Sequence, residues 1–143
     1  SIIAHLVKDF PRLKTEIIGE GKLYQKLESL IKEKKLENHI KLSGGLPRPE
    51  VLKKMAKSKI LLHTSTYESF GYVFSEALYS GMKIVSYNVG IATPSDSWCI
   101  GSTETELIEH CNTYLRQINS DKKRRVLNTP KETIKAYGEL YLH

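Results

Sequence analysis

The sequence predicts an α/β fold with a doubly wound parallel sheet flanked by helices. Strand-like and helix-like segments alternate along the chain. The run Ile60-Leu61-Leu62-His63-Thr64 is nearly all apolar, as in a strand buried on both faces of a parallel sheet. The segments joining the strands read as helices, and helical crossovers keep neighbouring strands parallel.

Taken in order, Ile2 to Phe10 reads as a helix ending before Pro11. Lys14 to Ile18 is a short strand stopped by Gly19-Glu20-Gly21. Leu23, Leu27, Leu30 and Ile31 recur at helical spacing and predict an amphipathic helix from Lys22 to Lys35. His39 to Ser43 is the second strand, ended by Gly44-Gly45. Leu46-Pro47-Arg48-Pro49 is a stiff loop, and Pro49 suits the first turn of a helix reaching Lys57. After the apolar strand at Ile60, a loop from Ser65 to Phe70 enters a helix over Gly71 to Ser80. Its apolar side is Val73, Phe74, Ala77 and Leu78, and Gly81 closes it. Lys83 to Tyr87 is the next strand, and Trp98-Cys99-Ile100 is a short one. Leu107, Ile108, Cys111 and Leu115 mark a helix from Glu104 to Gln117, and two more helices are expected at Asp121 to Leu127 and Pro130 to Tyr141. In such folds ligands sit beyond the carboxyl ends of the strands. The loops of interest are therefore Gly19-Gly21, Gly44-Arg48, Ser65-Gly71 and Asn88-Asp96.

The length, 143 residues, suits one domain spanning 1–143. Hydrophobic residues make up 40% and charged residues 27%, the balance of a water-soluble domain. No apolar run approaches a bilayer span, and the start Ser1-Ile2-Ile3-Ala4-His5 has no signal-peptide pattern. Without an initiator Met, the chain is expected to be an N-terminally truncated piece of a longer protein. The net charge of +6 admits a phosphorylated substrate, an anionic membrane surface or nucleic acid. The lysines are mostly dispersed as on a solvated surface; Lys122-Lys123-Arg124-Arg125 is a solvated helix face or a phosphate or membrane contact. No basic-aromatic stripe accompanies the charge, so no nucleic-acid partner is expected. Cys99 and Cys111 lack CxxC spacing, and the five histidines are scattered, so reduced thiols in a cytoplasmic protein and no metal site are expected.

The chemistry concentrates in Thr64 to Leu78. This stretch starts at a strand's carboxyl end, crosses a small-residue loop and enters a helix whose N-terminal N–H groups and dipole favour phosphate. Gly71 leaves room for an anion near the backbone. Glu68 stands just before the helix, and Glu76 lies more than a turn inside it. A carboxylate there can accept from vicinal hydroxyls such as those of a ribose. The bland alternatives are a loop carboxylate at Glu68, a surface residue at Glu76, core packing at Phe70, a solvated Arg48, turn glycines at Gly19 and Gly21, and loop-satisfying hydroxyls at Ser65 and Thr66.

With Glu68-Ser69-Phe70-Gly71 and Glu76-Ala77-Leu78, seven residues between the glutamates, then Gly81 and the strand Lys83-Ile84-Val85-Ser86, the chain resembles the donor lobe of the family-4 glycosyltransferases of the GT-B fold. Gly19-Glu20-Gly21 is similar to the family's Gly-Asp-Gly, Gly44 to Leu46 to its glycine turn, and Tyr137 to Tyr141 to its closing helix. The resemblance implies the Rossmann-like C-terminal lobe of a retaining enzyme that takes a UDP-, GDP- or ADP-sugar. Glu76 would bind the donor ribose. Glu68 would contact the transferred sugar and place its anomeric carbon. Backbone N–H groups of Ser69, Phe70, Gly71 and Tyr72 would hold sugar hydroxyls and the diphosphate. Leu46-Pro47-Arg48 would border the base, and Gly19 would allow close passage.

No Asp-x-Asp motif exists among Asp9, Asp96 and Asp121, so metal-independent transfer without a cofactor is expected. The resemblance places the phosphate-clamping Arg and Lys, and an N-terminal acceptor lobe, before Ser1. The isolated chain is thus expected to be inactive. It also implies a glycan or lipid-linked acceptor at the inner face of a membrane, with peripheral contact. Asn88-Val89-Gly90-Ile91-Ala92-Thr93 departs from the family's Gly-Gly after this strand, which leaves the donor sugar open. The competing reading on the same fold is a non-catalytic nucleotide-binding or scaffolding module. An NAD-binding domain is disfavoured, because Tyr24 stands where the third Gly of GxGxxG belongs.

Overall fold

The computed structural model describes residues 1–69 and 71–120, with side chains to residue 118. The predicted helices at Asp121 to Leu127 and Pro130 to Tyr141, the basic run at Lys122 and the residue Phe70 lie outside the described residues. Ten elements follow in the predicted order: α1 (Ile2–Asp9), β1 (Thr15–Ile17), α2 (Tyr24–Glu33), β2 (Ile40–Leu42), α3 (Arg48–Met55), β3 (Ile60–His63), α4 (Tyr72–Tyr79), β4 (Lys83–Tyr87), β5 (Trp98–Gly101) and α5 (Glu104–Ser120). All strand pairing within the sheets is parallel, as the helical crossovers require. The pairs fall into two sheets, β1-β2 and β3-β4-β5. The chain divides into two compact units, Ser1–Val51 and Leu52–His143.

In the first unit, β1 and β2 run in register from Thr15 opposite Ile40 to Ile17 opposite Leu42. The pairing continues at both ends: Thr15 N–H donates to His39 O at 2.7 Å, and Ser43 N–H donates to Ile17 O at 3.0 Å. Ile2, Leu6, Ile31 and Leu36 are its buried aliphatics. The stripe expected on α2 is narrower than predicted. Leu23 precedes the helix and is 71% exposed, and Leu30 is also exposed, so burial rests on Ile31 and half-buried Leu27. Arg48 is the first residue of α3 rather than part of the loop. The Pro47 carbonyl accepts from Glu50 and Val51 N–H groups at 2.9 and 3.2 Å, which starts the helix one residue before Pro49.

In the second unit β4 is the central strand, and Ile84, Val85 and Ser86 in it are all buried. β3, expected to be buried on both faces, is half-buried at all four positions because it stands at an edge of the β3-β4-β5 sheet. Phe74 and Ala77 of α4 and Leu107, Cys111 and Tyr114 of α5 are buried against this sheet, with Leu52, Met55, Met82, Val89 and Trp98 also buried in this unit. Leu78, predicted on the apolar side of α4, is exposed. The buried arc is centred on Phe74 and Ala77, and the helix ends a residue later. Gly81 closes α4 as predicted. Its N–H donates to Leu78 O and that of Met82 to Ala77 O, both at 2.9 Å, a pair of bonds that satisfies the last carbonyls. At the start of α5 the Glu106 N–H donates to Thr103 Oγ1 at 3.2 Å, and Glu106 Oε2 accepts from Ser102 N–H at 2.7 Å. This is a variant of the Thr-x-x-Glu capping arrangement, with the return bond going to the residue just before the cap.

Inside this unit Trp98 Nε1 donates to Ser86 Oγ at 2.8 Å, and its ring lies 4.6 Å from that of Phe74. Phe74 in turn meets the His63 ring edge-on at 4.8 Å. A continuous line of side chains thus runs from the centre of the sheet to the carboxyl end of β3.

Candidate functional site

The carboxyl end of β3 and the start of α4 carry the predicted site residues Glu68, Ser69, Gly71, Tyr72 and Glu76. Ser65 Oγ donates to Tyr67 O at 2.6 Å and lies 3.2 Å from Tyr67 N, so this hydroxyl holds the loop backbone. Tyr67 and Ser69 project outward. Between them Glu68 turns in, leaving its side chain 26% exposed. Glu68 Oε1 accepts the Gly71 N–H at 3.1 Å, and Oε2 lies 3.5 Å from His63 Nε2. A carboxylate at this point satisfies an N-terminal donor of α4 and complements the helix dipole.

Gly71 caps α4 with φ +68°, a left-handed conformation that side chains disfavour. The volume its missing Cβ leaves is taken up from within the chain: a Cβ there would lie 2.7 Å from Phe74 Cδ2 and 3.2 Å from Ile91 Cγ1. Gly90, also left-handed at φ +57°, comes as close to Glu68; a Cβ on it would lie 3.2 Å from Glu68 Cγ and from its carbonyl O. The loop after β4 therefore packs onto the Glu68 loop. The sequence marked the loop from Asn88 to Asp96 but gave Gly90 no role, and gave His63 none either. Gly90 carries no local signal for a contact with Glu68. The signal at His63 is a histidine closing an otherwise aliphatic strand.

Glu76 lies on α4, half-buried, one residue before fully buried Ala77. Tyr72 begins the helix and is exposed. Glu68, Ser69, Gly71, Tyr72 and Glu76 thus share the strand end and the first turns of one helix. In the first unit, Gly19 is exposed, with open space where a Cβ would stand, and its N–H donates to Gly44 O at 2.8 Å. Glu20 Oε1 accepts from Gly45 N–H at 3.1 Å. Leu46 is half-buried, and Pro47 and Arg48 are exposed. Among the described residues no helix is long and apolar enough to cross a membrane.

The family model for glycosyl transferases group 1 matches residues 1–94, a stretch that includes both glutamates. The chain is 32% identical over 83 residues to a poly(glycerol-phosphate) alpha-glucosyltransferase of Bacillus subtilis, covering 58% of this chain and 12% of that protein. It is 37% identical over 82 residues to the GtfA subunit of a UDP-N-acetylglucosamine–peptide N-acetylglucosaminyltransferase of Streptococcus agalactiae, covering 57% and 16%. The chain thus spans less than a quarter of the length of these relatives. Among solved structures it is similar to the pneumococcal O-GlcNAc transferase GtfA in complex with UDP and GlcNAc, with a TM-score of 0.68, 18% identity, and coverage of 97% of this chain and 31% of that one. It is also similar to Anabaena HepE in complex with UDP and glucose, with a TM-score of 0.67, 22% identity, and coverage of 97% and 39%.

Proposed function

The chain belongs to the group 1 glycosyl transferases, and from that premise we propose that it is the donor-binding lobe of a retaining, metal-independent glycosyltransferase that takes a nucleotide-diphosphate sugar. The observation that carries the reading is the seating of Glu68: a carboxylate fixed at the strand-to-helix turn, with Glu76 further along the same helix. The UDP and sugar named with the similar structures favour a nucleotide-sugar donor.

In this reading Glu76 binds the ribose hydroxyls, and Glu68 contacts the transferred hexose and places its anomeric carbon. The N–H groups of Ser69, Phe70 and Tyr72 hold sugar hydroxyls and the diphosphate. That of Gly71 is engaged by Glu68 Oε1 and acts on the donor through that carboxylate. As the sugar leaves the diphosphate for an acceptor hydroxyl, the N-terminus of α4 and cationic side chains offset the growing negative charge, and no cofactor is required. The acceptor is a glycan or a lipid-linked glycan, used in polysaccharide assembly on the cytoplasmic side, where a basic chain favours peripheral membrane contact. Acceptor recognition falls to a separate lobe, so these 143 residues alone bind donor weakly and transfer nothing.

The test is calorimetric titration of the protein with UDP-, GDP- and ADP-sugars, then transfer assays on the intact polypeptide. Saturable binding to one of them, weakened roughly tenfold or more by Glu76→Ala, is expected, as for loss of hydrogen bonds to a charged group. Binding unaffected by that substitution overturns the site. Binding with no transfer from the intact protein would favour the scaffolding module instead.

A further inference from the structure

We infer that His63 is the positioning residue of Glu68, setting the orientation of the carboxylate that faces the sugar. The inference rests on the donor-site reading above. His63 ends the strand Ile60-Leu61-Leu62, where an aliphatic residue would serve packing alone. Its side chain is only 15% exposed, and a polar ring so enclosed needs a partner. Its two nitrogens have different surroundings. Among the described residues Nδ1 is buried with no hydrogen-bond partner, whereas Nε2 lies 3.5 Å from Glu68 Oε2. The surroundings therefore place an N–H at Nε2, facing the carboxylate.

The two oxygens of Glu68 are consequently drawn by two different elements. Oε2 faces the end of β3 through His63, and Oε1 faces the first turn of α4 through Gly71 N–H. Gly90 closes on Cβ and Cγ from the loop after β4. The His63 ring is itself held: its neighbour Phe74 is fully buried and packs at a tilt against Trp98, whose Nε1 is fixed by Ser86. A group backed by the core in this way transmits the rigidity of the sheet to a carboxylate in a loop. In this reading His63 makes no contact with the sugar of its own, and its effect is exerted through Glu68.

Two substitutions in the intact protein separate this role from packing. His63→Gln places a carboxamide N–H near the position of Nε2, and His63→Leu fills the space without a donor. With both variants folded by circular dichroism, kcat/KM for the sugar nucleotide should fall about tenfold in His63→Leu and stay within about threefold of wild type in His63→Gln, since small misplacements of a reacting group are costly. Equal activity in the two variants, at any level, overturns the inference. A second measurement needs no donor and so stands apart from the functional reading. In protein labelled with ¹⁵N-histidine, His63 should show the Nε2-protonated tautomer, and Glu68→Gln should move its Nε2 resonance. An unmoved resonance, or the opposite tautomer, also overturns it.

Discussion

Gly90 lies so close to Glu68 that a single added carbon would stand 3.2 Å from both the Glu68 Cγ and its carbonyl oxygen. The contact joins the loop after β4 to the loop after β3, and it sets the space in which the carboxylate sits. Gly90→Ala meets two penalties at once, a left-handed φ of +57° and this crowding. The conformational part alone costs about 1–2 kcal/mol. Urea unfolding should show that loss, and donor titration should show weakened binding as Glu68 shifts. Stability lost with donor affinity intact would mean that the loop yields without moving Glu68.

A different kind of coupling holds the sheet. Trp98 Nε1 donates to Ser86 Oγ at 2.8 Å where Ser86 is fully buried. Ser86→Ala strands a buried indole N–H and should cost about 1–3 kcal/mol. Trp98→Phe removes that donor but leaves a smaller ring against Phe74. Once the donor is gone, Ser86→Ala should cost little more, so the double variant should be less unstable than the sum of the single losses. A double-mutant cycle by urea denaturation measures this, and strict additivity would show the bond to be energetically idle.

The Thr103–Glu106 start of α5 follows β5 and is not part of the loop and helix that carry Glu68 and Glu76, so it offers a control. Thr103→Ala removes the acceptor for the Glu106 N–H and should cost about 1 kcal/mol, the usual worth of an N-cap. Thermal melts should register it, while donor binding should not change. A variant that loses donor affinity would tie α5 to the site.

How far the sequence discloses this arrangement depends on the range of each contact. β3, β4 and β5 were legible because short segments rich in apolar and β-branched or aromatic residues, bounded by turns, leave few other readings. The start of α4 was legible because a glycine and the spacing of Phe74 and Ala77 act within one turn. Parallel pairing followed from the helical crossovers. Which strands pair was not legible, since β1-β2 and β3-β4-β5 are formed by residues far apart in sequence. Nor was the partnership of Glu68 with His63 and Gly90, because nothing local at Gly90 announces a neighbour more than twenty residues earlier. The family resemblance pointed to Glu68; only the fold shows what holds it.

Alkaline pH should reveal how tightly α5 seals the sheet. Burial, reinforced by the charge of Cys99, pushes the Cys111 thiol from 9.0 up to about 12. Tyr114 is pushed up in the same direction, first by burial, then by its hydrogen bond with the Cys99 thiol and the charges of Cys99 and Asp96. Both groups are neutral when protonated, so the folded chain keeps protons that the unfolded chain gives up. The stability they contribute is full below pH 9 and falls as pH rises toward 12 for Cys111 and beyond for Tyr114. Each fully linked group adds a slope of about 1.4 kcal/mol per pH unit. Urea midpoints should therefore drop steeply above pH 9 while remaining level between about pH 7 and 8 as far as these two groups are concerned. Cys111→Ala should start lower, having lost buried volume, yet decline less steeply through the alkaline range. A variant whose midpoint falls in parallel with the wild type would show that the Cys111 thiolate is tolerated in the folded chain.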